Sequence, residues 1–500
     1  MSLRKEALRG SAVLTVGEGV VYGASLVRNM ILARLLTKAD FGIAATFAIF
    51  ISLLEFSSRL GVARFVVRDQ EGDQPDFIAT AHLVQFGAAL LSSILIAAAA
   101  WPMALLFGLR EHVIAFLVLA AIPLAQGLVH LDTRRFERNL RFGPSALTEA
   151  IPQVLTTLLA WPLGLWLGDY RVILVLLILK ALLTCAGSFW LAEQPYRWRL
   201  QREYAMRMLR FGWPLIVNGF FMFLMMRGDQ FIVASFYSMT DLGAYAAAAS
   251  LTMVPTLFFT GIFASVMLPV MAKVQDDAPA FSRRYGLVIA VVCAFSSAYV
   301  VVVILGAEAL MQLVFGRKYE GAGIILAWLA VANAFRNIRL AAAVAAIAKG
   351  DSMNQMISNF WGGMTLLPAL AIAIAGEPVW LIACCGLVGE AFACAVSFRL
   401  LTRRDGVPLA RNLVPTSLVV LTVALAWVAT LMLGTHQAHP VMALATAAAG
   451  GIVCGSLVVV ILADSRREAM HLWQQLRAHG WRSPLPLLPR SWIARKPADS

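Results

Sequence analysis

Eleven ionisable side chains interrupt the long apolar stretches of this sequence, six of them basic and five acidic. They are Glu18, Arg28, Glu55, Arg59, Glu149, Lys180, Arg227, Asp229, Arg336, Arg339 and Glu390. An arginine fork matches the oxygens of a phosphate or a carboxylate, and binding such an anion breaks no bond. The acidic members could carry a proton or Na⁺, although their spacing defines no ion site. These residues therefore predict a wet interior that binds a polar solute.

Motifs for catalysis, nucleotide hydrolysis and metal binding are absent from the sequence. It contains no GxxxxGK[ST] segment, no GxSxG or HExxH, and no dinucleotide fingerprint. The six cysteines form no CxxC pair, and the seven histidines have no metal-ligand spacing. We therefore expect no enzyme, no cofactor and no metal. Transport by this chain would have to use an ion gradient or the consumption of the transported solute.

The first apolar stretch carries a polar stripe along one helical face. Spacings of three and four residues place on this face Thr15, Glu18, Tyr22, Ser25 and Asn29. Arg28 flanks the stripe. Such a stripe forms either a hydrogen-bonded seam between helices or the wall of a polar cavity.

Glu55 and Arg59 are four residues apart with the acid first, which is the favourable order for a pair within one helix. This pair is either structural or part of a gate or binding site. Lys180 lies alone in an apolar run, where it either functions itself or pairs with Glu149.

Arg336 and Arg339 lie near the middle of an apolar stretch, together with Asn333 and Asn337. Neither arginine reaches a membrane interface easily, so snorkelling does not explain them. They either bind an anionic solute or pair with Glu390.

Composition requires that helices position these residues. Hydrophobic residues make up 60% of the chain and charged residues 14%, and the mean hydropathy is +0.77. A soluble domain has roughly 45–50% apolar and about 25% charged residues. Backbone groups must be paired within lipid, and the alternating pattern of a membrane barrel is absent. The sequence therefore predicts an all-α, polytopic membrane protein.

Fourteen apolar stretches are long enough to be membrane spans. We number them spans 1 to 14, at about residues 10–34, 40–63, 77–101, 112–130, 144–167, 170–192, 210–234, 242–270, 284–306, 320–347, 352–375, 377–401, 413–434 and 440–463.

The positive charges give these spans an orientation. Of the 41 Lys and Arg residues, 29 fall on the side of the N-terminus and six in the opposite loops. Because cytoplasmic loops carry the excess of Lys and Arg, both termini are predicted to be cytoplasmic. The net charge of +13 then reflects topology and attraction to anionic lipids, and no nucleic-acid partner is expected.

A displacement of 201 residues brings the two halves of the sequence into register: Asp40-Phe41-Gly42 falls on Asp241-Leu242-Gly243, and Ile31 falls on Ile232. Two copies of six spans insert the same way round and are related by an axis along the membrane normal. We therefore predict a lobe at 1–200, a second lobe at 201–404, two added spans at 405–464 and a basic cytoplasmic tail at 465–500.

The same displacement relates the polar residues of spans 1 and 7. Asn29 falls on Gln230, and Arg227 lies beside that face, so Arg227 is a second candidate for the cavity wall. Arg28 falls on Asp229, which has the opposite charge. We hypothesise that Arg28 and Asp229 form an ion pair across the lobes that closes the periplasmic side.

One segment, Leu32 to Asp69, resembles the corresponding part of Wzx-type oligosaccharide flippases of the polysaccharide-biosynthesis family; it reads LARLLTKADFGIAATFAIFISLLEFSSRLGVARFVVRD. Its most specific feature is the run L-L-T-x-x-D-F-G after span 1. The basic segment RRFERNLRF, Arg134 to Phe142, and the segment from Arg210 to Ala246 also resemble this family. The three segments cover roughly a fifth of the chain.

The resemblance implies membership of the superfamily that includes lipid II flippases and multidrug and toxin extruders. It implies a V-shaped cavity between the lobes, lined by spans 1, 2, 7 and 8, which binds an undecaprenyl-diphosphate-linked oligosaccharide. The candidates for substrate binding are Arg28, Arg227, Arg336, Arg339, Glu18, Tyr22, Asn29 and Arg59. The candidates for gating or ion coupling are Asp229, Glu55 and Glu390.

We expect a flippase of the bacterial inner membrane that supplies repeat units for exopolysaccharide, lipopolysaccharide or O-antigen synthesis. Its partners would be the bilayer, the lipid-linked oligosaccharide and, in an assembly, a polysaccharide polymerase and co-polymerase. Two alternatives stay open, a multidrug or cation antiporter and a lipid II flippase. A membrane polymerase is less favoured, because no predicted outside loop is large enough to hold a catalytic site.

Overall fold

The computed structural model of the protein describes residues 3–58, 61–139, 141–433 and 440–462. These residues form α-helices joined by short turns, with no β-strand among them. The N-terminal half contains α1 (Leu3–Leu35), α2 (Lys38–Ser58), α3 (Val62–Arg68), α4 (Pro75–Leu106), α5 (Val113–Val118), α6 (Ala121–Gly127), α7 (Asp132–Arg138), α8 (Gly143–Leu167) and α9 (Arg171–Trp190). The predicted all-α fold is confirmed.

The C-terminal half contains α10 (Arg202–Phe236), α11 (Met239–Ala272), α12 (Ala278–Leu305), α13 (Ala307–Phe315), α14 (Gly323–Ala348), α15 (Met353–Gly363), α16 (Leu366–Ile374) and α17 (Trp380–Asp405). Two more helices follow it, α18 (Ala410–Leu433) and α19 (Pro440–Ile461). The predicted tail at 465–500 lies outside the described residues.

Eleven of the described helical segments are long and apolar enough to cross a membrane, and they correspond to predicted spans 3–6 and 8–14. Spans 1, 2 and 7 correspond to α1, α2 and α10, which are helices of 33, 21 and 35 residues. The chain is a multi-pass membrane protein, as predicted. The count of fourteen spans stays a prediction.

Two predicted spans are each divided into two helices near a proline. Span 4 consists of α5 and α6, with Pro123 in the first turn of α6. Span 11 consists of α15 and α16, with Pro368 in the first turn of α16. Proline has no amide hydrogen and clashes with the preceding turn, but it is tolerated where a helix begins. Each proline therefore marks the start of a new helix.

Large apolar side chains remain exposed on the outside of the bundle, as the lipid environment of a membrane protein requires. Leu431 of α18 and Trp190 of α9 are 82% and 80% exposed. The interior is built around α14, whose run Ala341–Ala346 is almost fully buried. Because alanine side chains are small, α11, α12 and α17 approach α14 closely.

The two halves meet mainly where α2 packs against α10 and α11 and where α1 packs against α11, with smaller contacts that include α1 with α13. We call the end of the bundle that holds residues 34–42 and 237–243 the junction face. We call the opposite end, which holds residues 69–76 and 131–139, the basic face.

The displacement of 201 residues relates two helix starts at the junction face. Thr37 Oγ1 accepts a hydrogen bond of 3.0 Å from the N–H of Asp40 at the start of α2. Ser238 Oγ accepts one of 3.1 Å from the N–H of Asp241 at the start of α11. A serine or threonine hydroxyl that accepts from the third following amide is a standard helix N-cap. The two helix starts therefore share one local structure, while the two lobes stay a prediction.

Gly42 and Gly243, also related by this displacement, bring α2 and α11 into backbone contact. A Cβ atom on Gly42 would overlap the carbonyl oxygen of Met239, and one on Gly243 would overlap that of Lys38. Any larger side chain at either position would force the helices apart. The two glycines are therefore required for the observed approach of the halves.

Candidate functional site

The polar stripe of α1 lies on a helix that packs against α8 of its own half and α11 of the other. Glu18 is exposed, and Tyr22, Arg28 and Asn29 are partly exposed. Among the described residues, none of these four side chains makes a hydrogen bond or an ion pair. The interhelical contact nearby uses the backbone instead, because Thr157 Oγ1 donates to the Ala24 carbonyl at 3.0 Å. Thr15 of the stripe does have a partner, but the geometry of these four residues favours a cavity wall over a hydrogen-bonded seam.

Arg28 is the most consequential member of this stripe. A charged side chain within a membrane is costly, and it is normally compensated by an opposite charge, by carbonyls or by water. Within the described part of the chain, no carboxylate or carbonyl compensates Arg28. Its guanidinium therefore keeps its donors free for an anion that enters between the halves.

A polar cluster of the C-terminal half occupies the corresponding part of α10. Arg227 Nη1 donates to Gln230 Oε1 at 2.9 Å. Asp229 accepts a hydrogen bond of 2.8 Å from the hydroxyl of Tyr245 on α11. The negative charge of Asp229 also acts on Arg227 and on Arg336 of α14. Asp229 therefore compensates cations of its own half.

The ion pair predicted between Arg28 and Asp229 is absent from this structure. Asp229 is held by Tyr245, whose ring is fully buried between the helices, while Arg28 has no ion-pair partner among the described residues. The displacement placed the two residues at equivalent depths in the two halves. Equivalent depth does not bring side chains into contact when each half supplies its own partners.

Arg336, Arg339 and Glu390 form a buried triad between α14 and α17. Arg336 Nε donates to Glu390 Oε1 at 2.7 Å, and Arg339 Nη2 donates to Glu390 Oε2 at 3.0 Å. Asn333 Oδ1 accepts from Arg336 at 3.1 Å, and Asn359 Oδ1 accepts from Arg339 at 2.5 Å. Of the two interpretations of these arginines, pairing with Glu390 is the one observed.

The three side chains of the triad differ in their exposure. The side chains of Arg339 and Glu390 are 10% and 4% exposed, but that of Arg336 is 27% exposed. Each carboxylate oxygen of Glu390 accepts from a guanidinium group, and these two positive charges disfavour a further cation beside it. Arg336 is therefore the member of the triad that an anion can still approach.

Two further charges of the N-terminal half, Lys180 and Glu149, have partners other than the predicted ones. Lys180 Nζ donates to Gln153 Oε1 of α8 at 2.7 Å. Glu149, predicted as a partner of Lys180, forms an ion pair of 3.2 Å with Arg134. The side chain of Glu55 and all of Arg59 lie outside the described residues, so their predicted roles stay predictions.

Asp132, to which the sequence assigned no role, fixes the segment that joins the two halves at the basic face. It accepts hydrogen bonds from the N–H groups of Glu193 and Gln194, at 2.6 and 3.1 Å, and from Arg135. Burial alone would raise the pKa of Asp132, but the hydrogen bonds from Arg135 and these amides outweigh it and lower the pKa. The basic segment around α7 is thus partly a structural anchor.

A family model described as polysaccharide biosynthesis protein matches residues 31–323. The chain belongs to the polysaccharide biosynthesis protein family. The match contains Arg227, Asp229 and both glycines of the junction face. Arg28 precedes the matched residues and the triad of Arg336, Arg339 and Glu390 follows them. The resemblance found in the sequence is confirmed at the level of the family.

Two relatives of this family have biosynthetic names. The chain is 22% identical over 388 residues to the lipopolysaccharide biosynthesis protein WzxC of Escherichia coli (strain K12), which covers 74% of this chain and 76% of that protein. It is 22% identical over 317 residues to the succinoglycan biosynthesis transport protein ExoT of Rhizobium meliloti (strain 1021), which covers 62% of this chain and 63% of that protein.

Solved structures share the architecture. The lipid II flippase MurJ in an inward closed conformation aligns with a TM-score of 0.71 at 12% identity, over 92% of this chain and 100% of that chain. A multidrug resistance MATE family transporter of the MOP superfamily, in an inward-facing conformation, aligns with a TM-score of 0.61 at 15% identity, over 78% of this chain and 94% of that chain. At these identities the likeness concerns the fold alone.

Proposed function

We propose that this protein is a flippase that moves an oligosaccharide linked to undecaprenyl diphosphate across a bacterial inner membrane, for exopolysaccharide or O-antigen synthesis. The observation that carries the proposal is Arg28, a cation without a partner among the described residues, on a membrane helix between the two halves. The family and the names of WzxC and ExoT support this direction. An unpaired guanidinium suits the diphosphate of such a carrier.

The binding site would combine three arginines with neutral polar groups. Arg28 takes the diphosphate first, because its donors are free. Arg227 and Arg336 add positive charge from the other half, while Arg339 and Glu390 hold Arg336 in place. Tyr22, Asn29 and Glu18 of the α1 stripe meet the hydroxyl groups of the glycan, and Arg59 of span 2 is a further candidate. No covalent bond changes, so the proposed activity is transport and not catalysis.

Translocation would follow from rocking of one half against the other. In this proposal the lobes are residues 1–200 and 201–404, followed by two added spans at 405–464 and a cytoplasmic tail. With both termini in the cytoplasm, the junction face is periplasmic and the basic face is cytoplasmic. Asp229 and Glu55 are the proposed residues for ion coupling, since two guanidinium groups already lie beside Glu390. A polymerase and co-polymerase are proposed partners that would consume the product.

The alternatives account less well for Arg28. A cation antiporter would place an uncompensated positive charge beside a cationic substrate, which repels it. A lipid II flippase shares the fold and also transports a diphosphate lipid. Only the identity of the transported glycan therefore distinguishes it from the proposed oligosaccharide flippase. Glycans that differ from lipid II are expected to bind through the same arginines but not through the same hydroxyl contacts.

The test is complementation of a host strain that lacks the gene. Secreted polymer is measured together with undecaprenyl-diphosphate-linked glycan retained on the cytoplasmic leaflet. We expect the deletion and Arg28→Ala to lose polymer and to accumulate the complete repeat unit inside, and Arg28→Lys to restore part of the export. Arg171→Ala is the matched control, because Arg171 is an exposed arginine that pairs with Asp169 at the junction face.

Two outcomes would count against the proposal. Normal polymer with no retained glycan in the deletion strain would favour the drug antiporter. Glycan found on the periplasmic leaflet but left unpolymerised would favour a polymerase.

A further inference from the structure

At the junction face, each half places a cationic side chain against backbone carbonyls of the other half. Arg34, in the last turn of α1, donates through Nε to the Val314 carbonyl at 3.0 Å and through Nη2 to the Leu313 carbonyl. In return, Lys318 donates to the carbonyl of Arg34 at 3.1 Å and to that of Leu36. Each half therefore neutralises the last carbonyls of a helix, α13 or α1, that belongs to the other half.

A shallow cavity of about 440 Å³, widely open to the outside, lies beside these contacts, lined by Arg34, Gln312, Phe315, Gly316, Arg317 and Lys318. Three of the six lining residues are cationic and none is acidic. The side chain of Arg317 makes no hydrogen bond and no ion pair with any described residue. Since one water occupies roughly 30 Å³, the cavity has room for a ligand the size of a diphosphate.

Two acidic residues near this cavity, Asp40 and Glu308, are already engaged, and a third, Glu320, is exposed two residues after Lys318. The Asp40 carboxylate accepts a hydrogen bond from the hydroxyl of Thr37, which caps α2. Glu308 accepts hydrogen bonds from the N–H groups of Gly321 and Gly323, at 3.0 and 3.2 Å. The lining itself holds three cations and no carboxylate, so it carries an excess of positive charge even with Asp40 and Glu320 nearby.

Lys318 is partly buried beside these groups, and its pKa is lowered mainly for that reason. Asp40 opposes this effect of burial on the pKa, and Lys38 reinforces it. Lys38 and Lys318 also lie on the ring of Tyr319, each 5.9 Å from its centroid. A bound anion would stabilise all of these cations at once.

We propose that this cavity is a second anion site, which binds a phosphate ester at the junction face and competes with the helix carbonyls for Arg34 and Lys318. Phosphate oxygens accept hydrogen bonds from cations more strongly than neutral carbonyls do. Binding therefore loosens the contact between α1 and α13 and favours separation of the halves on this side. The role in transport rests on the proposed function, under which the ester would be the carrier diphosphate on its way out.

The binding test uses the full-length protein in phosphatidylcholine nanodiscs, titrated with inorganic pyrophosphate and followed by thermal stabilisation. Arg317→Ala is the diagnostic variant, because it removes a cavity cation that takes no part in the contact between the halves. We expect it to weaken pyrophosphate binding by about tenfold, the loss of one charge-assisted hydrogen bond. Arg171→Ala, on the same face but outside the cavity, should bind like the wild type. Equal affinity in both variants, or no stabilisation of the wild type, would overturn the proposal.

Lipid probes distinguish the sources of the phosphate. Native mass spectrometry compares retention of undecaprenyl diphosphate with that of phosphatidylglycerol by the wild type and by Arg317→Ala. Selective loss of undecaprenyl diphosphate from the variant identifies the carrier, and selective loss of phosphatidylglycerol identifies a membrane phospholipid. Either result supports a phosphate-ester site, whereas unchanged retention of both lipids contradicts it.

The competition with carbonyls is tested by distance measurements between the halves. Spin labels are placed at Glu111→Cys and Glu377→Cys, in loops of the two halves at the junction face, with the native cysteines changed to alanine. Pyrophosphate should lengthen the distance in this background and should leave it unchanged after Arg317→Ala. If pyrophosphate changes the distance in neither protein, the proposed competition with the carbonyls is wrong.

Failure of this inference is separable from failure of the proposed function. If Arg28→Ala abolishes polymer export while Arg317→Ala binds pyrophosphate normally, the second site is wrong and the flippase stands. If export is normal without Arg28 but pyrophosphate binding depends on Arg317, the second site stands and the flippase is wrong.

Discussion

The triad between α14 and α17 makes a quantitative prediction for Glu390→Gln. Glutamine has nearly the same shape but no charge, so the change leaves two guanidinium groups without their shared carboxylate. Removing one partner of a buried ion pair costs about 3–5 kcal/mol. We expect the lower end, about 3 kcal/mol, because Arg336 is 27% exposed and the amide oxygen still accepts a hydrogen bond.

The expected change in Tm follows from the size of the protein. With an unfolding entropy of about 2.1 cal/mol/K per residue, a chain of 500 residues loses roughly 1 °C per kcal/mol. Glu390→Gln should therefore lower the Tm of the purified protein by about 3 °C, as measured by differential scanning fluorimetry in detergent. Glu111→Gln, at an exposed loop position, is the matched control and should not change the Tm.

A second variant separates charge from packing in the triad. Replacing Arg336, Arg339 and Glu390 together by methionine removes every charge and keeps an apolar interior. Because a buried ionic group is often replaced by hydrophobic residues without loss of stability, the triple variant should be more stable than Glu390→Gln. The reasoning would be refuted if Glu390→Gln were as stable as the wild type, or if the triple variant were less stable than Glu390→Gln.

Two further predictions concern the contact between the halves and the segment that joins them. Gly42→Ala should separate α2 from α11, because its Cβ would overlap the Met239 carbonyl; the labels at positions 111 and 377 should then report a longer distance, and an unchanged distance would contradict this. Asp132→Asn should lower the Tm at neutral pH, because the carboxylate anchors the amides of Glu193 and Gln194. Since the folded pKa of Asp132 is lowered, its contribution is present above the unfolded pKa of about 3.9 and is lost as pH falls through the folded value. The Tm difference between variant and wild type should therefore shrink at acidic pH, and a difference that grows there would be evidence against this anchor.

Local features of the fold were predictable because they depend on residues close in sequence. Apolar length predicts helices wherever backbone groups must be paired in lipid. The match of Asp40-Phe41-Gly42 to Asp241-Leu242-Gly243 set the register of the repeat. The structure adds that both segments begin helices, with Thr37 and Ser238 as N-caps.

The partners of the buried charges were harder to predict, because they depend on how helices rotate against each other. Asp229 could pair with Arg28 or with another residue, and the hydroxyl of Tyr245, on the next helix, decides the matter. Glu390 was recognised as a possible partner of Arg336 and Arg339 because charge balance within the membrane left few alternatives. Lys180 lacked such a constraint, and its bond to Gln153 was not anticipated.

The reciprocal contacts of Arg34 and Lys318 at the junction face leave no signal in the sequence. Arg34 and Lys318 donate to backbone carbonyls, and a carbonyl is present at every residue. As loop residues they contributed only to the charge count that set the orientation. Only the three-dimensional approach of α1 to α13 makes them reciprocal caps.

The most direct test of the central claim is translocation by purified protein in proteoliposomes. A fluorescent oligosaccharide linked to undecaprenyl diphosphate is incorporated, and its passage between leaflets is followed with a membrane-impermeant quencher. The account predicts movement by the wild type and by Arg171→Ala, and movement at the protein-free rate for Arg28→Ala. Full-rate translocation by Arg28→Ala would contradict the claim that Arg28 binds the carrier diphosphate.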